Sequence, residues 1–278
     1  MELRGTVALV TGASRGIGPF IARRLAEEGV RLYLVARSGD DLEAVADKIR
    51  RRLGADVSVL AADITTDRDL IFDHLARRFG HLDLLVNNAA LFPVGPFTSH
   101  TKEGIEETLR VNLLGTMLLT HGLLPLLEQG GPGHVVTLTS LSGKHGPLFQ
   151  PVYAATKGGL GSWMESLRDE YRDGNVGFST VCPAFVTDVG MFARYGVDAP
   201  RAVGSCSPEQ VAEAVVRAVE RNLPDVVVGA GPIRLLMAIG ALFPGFPGWY
   251  LERRGVNRFL REHLAAPVDP LQERTLIG

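Results

Sequence analysis

Residues 11–18 read Thr11-Gly12-Ala13-Ser14-Arg15-Gly16-Ile17-Gly18. Directly before them, Thr6–Val10 is apolar at nearly every position, as in a strand buried on both faces of a parallel sheet. Directly after, Ile17–Gly29 has helical spacing and closes on a glycine. Glycines at 12, 16 and 18 permit a tight turn and let a pyrophosphate approach backbone N–H groups at a helix N-terminus. The spacing Gly-x-x-x-Gly-x-Gly differs from the general dinucleotide fingerprint Gly-x-Gly-x-x-Gly. Its weight comes from its place between the first strand and a helix. Pro19 falls in the first helical turn, where a missing N–H costs little.

Outward from this turn, short β-branched runs alternate with longer helical patterns. Strands are predicted at Arg31–Ala36, Val57–Ala61, Leu82–Asn87, His134–Thr139, Val176–Val181 and Val226–Gly229. Helices are predicted at Asp41–Leu53, Asp67–Phe79, Thr101–Leu127, Val152–Arg172 and Pro208–Arg221. In the first of these, Leu42, Val45, Ala46, Ile49 and Leu53 form one stripe. The alternation implies an α/β fold: a doubly wound parallel sheet of Rossmann type, with helices on both faces in three layers. No linker or repeat interrupts it, so residues 1–231 read as one domain, followed by an apolar C-terminal extension at 232–278.

The bulk numbers narrow the function. Of 278 residues, 46% are apolar, enough for a sizeable core, and the net charge of −2 leaves no polybasic footprint for nucleic acid. Cys182 and Cys206 lack metal-ligand spacing and partners, so no metal site is expected and both read as reduced thiols in a cytoplasmic protein. Met1–Gly5 shows no signal-peptide pattern, and the apolar runs break too early for a transmembrane helix.

Chemistry concentrates in Pro151-Val152-Tyr153-Ala154-Ala155-Thr156-Lys157. A phenol has an unperturbed pKa of about 10. A lysine one helical turn away shares its face, and its charge favours the phenolate, drawing the pKa toward working pH. Ser140, from a strand end, could hydrogen-bond the same substrate oxygen. The trio fits proton transfer at a carbonyl or alcohol oxygen. At the end of the second strand, where NAD-binding folds place an acidic residue, stands Arg37; a guanidinium pairs with a 2′-phosphate that a carboxylate would repel. Arg15 could reach the same phosphate. Taken singly, each feature also has a plain reading: Ser140 as a turn cap, Asn112 as a backbone tie, Asp63 as a helix cap, and both arginines as solvated surface.

Together these pieces resemble the short-chain dehydrogenase/reductase family over about residues 5–230. The glycine turn is similar to the family's Thr-Gly-x-x-x-Gly-x-Gly. Asp63 follows the third strand, Asn87-Asn88-Ala89-Ala90 is similar to Asn-Asn-Ala-Gly, and Asn112, Ser140, Tyr153 and Lys157 match the catalytic tetrad. The resemblance implies that Tyr153 exchanges the proton with the substrate oxygen and that Lys157 lowers the tyrosine pKa and holds the nicotinamide ribose. It implies that Ser140 polarises the carbonyl and that Asn112 holds a relay water. Asp63 would contact adenine and Thr187 the carboxamide. The implied cofactor set is Gly12, Ser14, Arg15, Gly16, Ile17, Gly18, Arg37, Ser38, Asp63, Ile64, Asn88, Ala89, Ala90, Tyr153, Lys157, Pro183, Val186 and Thr187. Arg15 and Arg37 resemble the branch preferring NADP(H). Homodimers or homotetramers through the helices at 101–127 and 152–172 are also implied. Ala90 and Ala184 replace family glycines; the methyl of Ala184 would tighten the backbone beside the nicotinamide or shift the loop.

The expectation is therefore an NADP(H)-dependent oxidoreductase interconverting a ketone or aldehyde with an alcohol on a small, fairly apolar molecule. A cofactor-retaining epimerase or dehydratase, and a non-catalytic NADP(H) sensor, remain open as alternatives on the same fold. Phe185, Met191, Phe192 and Tyr195 suggest that residues 184–207 form an apolar lid, and His145 reads as a rim residue. The segment from Ile233 to Leu251, followed by Glu252-Arg253-Arg254, suits a pocket flap, a subunit interface or a peripheral membrane contact, the first two preferred.

Overall fold

The computed structural model describes residues 1–190, 199–200, 202–229 and 233–271. The strands are β1 (Val7–Thr11), β2 (Arg31–Ala36), β3 (Val57–Ala61), β4 (Leu84–Asn87), β5 (Gly133–Leu138), β6 (Val176–Pro183) and, last in the sheet, β9 (Asp225–Val228). They form one parallel sheet in the order β3-β2-β1-β4-β5-β6-β9. The intervening helices are α1 (Gly18–Glu27), α2 (Gly39–Leu53), α3 (Arg68–Arg78), α4 (Lys102–Leu109), α5 (Thr116–Gln129), α6 (Leu141–Lys144), α7 (Pro151–Glu170) and α8 (Pro208–Glu220).

Strand alternation splits the core into two layers. Ala8 and Val10 of β1 face one cluster, where Ile21, Ala22 and Leu25 of α1 meet Val211, Val215 and Val219 of α8. Val7 and Leu9 face the other, packed against Ile71 and Leu75 of α3 and Leu119, Leu123 and Leu127 of α5. Each such fully buried leucine contributes about 1.5–3 kcal/mol. Helix α8 begins with a capping box, in which Ser207 and Gln210 satisfy each other's backbone amides. The sheet order reverses between β1 and β4. The register sets Val10 beside both Leu34 and Val86, so the strand ends at Thr11, Ala36 and Asn87 share one edge. In open α/β sheets ligands bind at that reversal.

Three features depart from the sequence expectation. The helix expected at Thr101–Leu127 is α4 and α5 joined by a π-helical turn, Arg110–Gly115, that contains Asn112. Lys102–Gln129 is by composition apolar enough to span a membrane, yet Leu119, Leu123 and Leu127 lie fully buried against the sheet. After β6 the chain forms a two-stranded parallel ribbon, β7 (Phe185–Val186) with β8 (Ser205–Cys206). Beyond β9 three short helices follow: α9 (Ile233–Leu242), α10 (Phe246–Arg253) and α11 (Val256–His263). The expected boundary at 231/232 and the lid residues Met191, Phe192 and Tyr195 lie outside the described residues. The C-terminal helices return to the main body. Val256, Leu260 and Leu264 pack with Phe92, Val94 and Tyr153, and Val268 bridges Val94.

Candidate active site

The glycine turn is fixed from below. Thr11 Oγ1 accepts from the amides of Asn88 (3.0 Å) and Ala89 (3.1 Å), and Asn88 Nδ2 donates to the carbonyls of Thr11 and Gly12, both at 3.0 Å. Gly12 has φ +63°, and a Cβ there would lie 2.9 Å from Ala89 Cα. A Cβ on Gly18 would lie 2.2 Å from the Gly12 carbonyl oxygen, so only glycine lets α1 start this close to the strand end. No side chain caps the N-terminus of α1. Its first-turn end is thus suited to a phosphate, which is the fit expected for a dinucleotide. Thr11 is the hub here, and its hydroxyl role left no mark in the spacing of glycines.

A cavity of about 970 Å³ opens on this turn. Gly12, Ser14, Arg15, Gly16 and Ile17 line it, as do Arg37, Asp63, Ile64, Asn88, Ala89 and Ala90. Asp63 accepts from the Thr65 amide at 2.8 Å and its hydroxyl at 2.6 Å, which orients the carboxylate. Asp40 and Asp41 sit in the first turn of α2, where the helix dipole favours them. Ser38 does not line the cavity, and its hydroxyl donates to Asp41.

The cavity continues to Ser140, Tyr153, Lys157, Pro183 and Val186. Tyr153 is 9% and Lys157 4% exposed. Lys157 Nζ lies 5.7 Å from the tyrosine ring centre and donates to the Leu138 carbonyl at 2.7 Å. Ser140 caps α6 by accepting from Ser142 N at 3.1 Å, and it also hydrogen-bonds the phenol. The capping and catalytic readings of Ser140 are therefore compatible. A Cβ on Gly143 would lie 2.6 Å from the Lys157 carbonyl carbon, so this glycine lets the Ser140 turn reach α7.

Electrostatics correct one expectation. In this arrangement Lys157 does not bring the phenol down. Burial pushes Tyr153 up to about 12, with the Ser140 hydrogen bond pulling the other way. Burial likewise lowers Lys157 to about 8. Desolvation is the largest influence on both groups, and it disfavours each charged form.

Asn112 is fully buried. Its Oδ1 accepts from Leu91 N at 2.7 Å, and its Nδ2 donates to Leu91 O at 2.8 Å and Thr156 Oγ1 at 3.3 Å. It ties the loop after β4 to α7. Thr187 does not line the cavity; its hydroxyl donates to Asp188 and its amide to the Cys206 carbonyl. His145 is a lining residue at the end of α6, its pKa lowered by burial. Among described residues, neither Ala90 nor Ala184 has a positive φ, and the Ala184 side chain sits above Gly229. No cluster suited to a metal ion occurs among the described residues.

The far wall is apolar, and of its residues the sequence pattern singles out Phe185, expected in the lid. Phe92 meets Tyr153 edge-on at 4.7 Å. Phe185, Leu236, Met237, Tyr250 and Leu251 also line the cavity. The signal was present: Ile233, Leu236, Met237 and Gly240 follow i, i+3, i+4, i+7 spacing.

Comparison with known proteins agrees with this geometry. The chain is 34% identical over 256 residues to ketoacyl reductase HetN of Nostoc sp., covering 87% of this chain and 86% of that protein. An actinorhodin polyketide ketoreductase variant solved with NADPH superposes with a TM-score of 0.75 at 25% identity, over 82% of this chain and 97% of that one. An alcohol dehydrogenase from the archaeon Thermococcus sibiricus, solved with 5-hydroxy-NADP, gives a TM-score of 0.71 at 28% identity, over 81% and 96%. The family model for short chain dehydrogenases matches residues 6–198. That span holds the glycine turn, Asn112, Ser140, Tyr153 and Lys157 and six of the seven strands of the parallel sheet, and the chain belongs to the short-chain dehydrogenase family.

Proposed function

We propose that the protein is an NADP(H)-dependent oxidoreductase that interconverts an apolar ketone or aldehyde with its alcohol. The observation that carries this reading is the place of Tyr153. It lies where the glycine-turn half of the cavity meets the apolar half, with Ser140 hydrogen-bonded to it and Lys157 beside it.

Bound NADP(H) supplies or accepts the hydride. The chain's own groups do the rest. Gly12–Ile17 and the α1 N-terminus hold the pyrophosphate, Arg15 and Arg37 take the 2′-phosphate, and Asp63 and Ile64 frame the adenine. Lys157 holds the nicotinamide ribose and supplies positive charge beside the phenol. Ser140 and Tyr153 position the substrate oxygen. With its pKa near 12, Tyr153 is protonated at neutral pH and is set to donate as negative charge develops on that oxygen. Asn112 acts by positioning Leu91 and α7. In the reverse direction the phenolate takes the proton, and that form grows with rising pH.

The apolar wall of Phe92, Phe185, Leu236, Met237, Tyr250 and Leu251 supports an apolar substrate. Leu114 and Leu118, exposed on the π turn and α5, support a homo-oligomer built through that helix. A panel of ketones, aldehydes and alcohols with NADPH/NADP and NADH/NAD in parallel tests the reading. Turnover of apolar carbonyls with NADPH is the expected result. Cofactor retained without net oxidation would favour the epimerase alternative, and no conversion of any compound would favour a sensor.

A further inference from the structure

The C-terminal helices have two apolar faces, and the cavity accounts for one. Ile233, Leu236, Met237 and Gly240 of α9 face inward. On its opposite side Leu235, Ala238 and Leu242 are exposed, and Ala241 is exposed at the cavity rim between the two faces. The exposed run continues through Phe243 to Gly245, and Trp249 of α10 is also exposed. The relative exposures are 60% for Leu235, 77% for Leu242, 65% for Phe243 and 59% for Trp249, values unusual for apolar side chains so close in sequence. Phe246 stacks with Tyr250 and also contacts Trp249, so the outer aromatic and the cavity wall belong to one cluster.

Charge marks the edge of this patch. No residue from Leu235 to Leu251 is charged. Arg234 precedes the run, and Arg253, Arg254 and Arg258 follow it, all exposed and, among the described residues, without an ion pair to a carboxylate. Glu252 is already engaged by Arg261 and Asn257. Trp249 and Arg253 stand four apart on α10 and share a face. Helix α9 has 10 residues, a length of about 15 Å that cannot cross a hydrocarbon core of about 30 Å. An apolar tip with a tryptophan, rimmed by arginines, matches a segment lying in a headgroup layer rather than spanning it.

We propose that this tip docks on an anionic lipid bilayer, with Leu242, Phe243 and Trp249 inserted and Arg253 and Arg254 against lipid headgroups. Because Ala241 and Pro244 line the cavity between these inserted residues, an apolar substrate passes from the bilayer to the site past the same tip. That access route rests on the apolar-substrate reading above, whereas the contact itself does not.

Vesicle flotation of the full chain tests the contact without reference to turnover. Vesicles of phosphatidylcholine with phosphatidylglycerol should carry the protein at low salt, and phosphatidylcholine alone should carry far less. Arg253→Glu/Arg254→Glu should weaken binding to the anionic vesicles by about thirtyfold. Leu242→Ser/Phe243→Ser/Trp249→Ser should abolish it while leaving the thermal melt and the turnover of a short water-soluble ketone unchanged. No flotation of the wild-type chain with anionic vesicles would overturn the proposal, as would undiminished flotation of the triple variant. A dimer in solution that the triple variant converts to monomer would instead assign the patch to a second copy of this chain.

Discussion

The glycine turn and the C-terminal helices face one another across a single cavity but are held by different forces. At the turn, Thr11, Asn88 and Ala89 are joined by hydrogen bonds of 3.0–3.1 Å, and Gly12 and Gly18 stand where an added methyl would strike backbone. Directional bonds and backbone contact leave almost no freedom of position. The C-terminal helices are attached mainly by side-chain packing of Val256, Leu260 and Leu264, with the Val94–Val268 bridge and the Tyr250 hydroxyl donating to Ala202 O. Apolar contact is non-directional, so this wall can change residue by residue without moving the reacting atoms. The difference matches the proposed chemistry to the rigid side and the proposed substrate choice to the adaptable side.

The comparison breaks if substitutions on the two sides have the same kind of effect. The largest expected effect lies at Tyr153. Tyr153→Phe should lower kcat by about 10²–10⁴ for every substrate while leaving NADPH affinity unchanged. Stopped-flow turnover and fluorescence titration read the two quantities. The pH profile sharpens the point. Lys157 is held below its usual value, at about 8, so its charge is present below that pH and lost above it. Tyr153 stays protonated well beyond, to about 12. Reduction should therefore run level through neutral pH and fall above about 8, and Lys157→Arg, which keeps its charge, should remove that fall.

A smaller effect is expected at Arg37. Arg37→Asp should weaken NADPH binding relative to NADH by about tenfold to a hundredfold, read as the ratio of the two Kd values. An unchanged ratio would separate Arg37 from the 2′-phosphate. The smallest effect is expected on the apolar wall. Leu236→Ala should lower kcat/KM by about tenfold for the bulkiest apolar ketone accepted, through KM, and leave the smallest one unaffected. An equal loss for both would show that the wall positions the reacting atoms after all.

Much of the rigid side is legible in the chain. The spans predicted for β2 and β3 are those observed: Leu32–Ala36 is a buried apolar run, and Val57, Val59 and Leu60 give the edge strand β3 its β-branched, apolar signature. The glycine turn, Arg37, Asp63, Ser140, Tyr153 and Lys157, which the fold brings to one cavity, are recognisable because the roles proposed for them depend on residue type at fixed spacing. Less is legible where a side chain's partner is distant. The π turn at Arg110–Gly115 keeps the apolar pattern of an ordinary helix, and only the contact of Asn112 with Leu91 reveals its purpose. Thr187 matches a motif position, yet its hydroxyl is spent on Asp188.

The sequence by itself determined the sheet, the glycine turn and the placing of Tyr153 and Lys157 on one helix face, since strand burial, glycine geometry and helical spacing are local properties. Only the tertiary structure decided the protonation of that pair and the wall it faces. Desolvation depends on everything packed around Tyr153 and Lys157, including Phe92 and the C-terminal helices, and no local spacing records it.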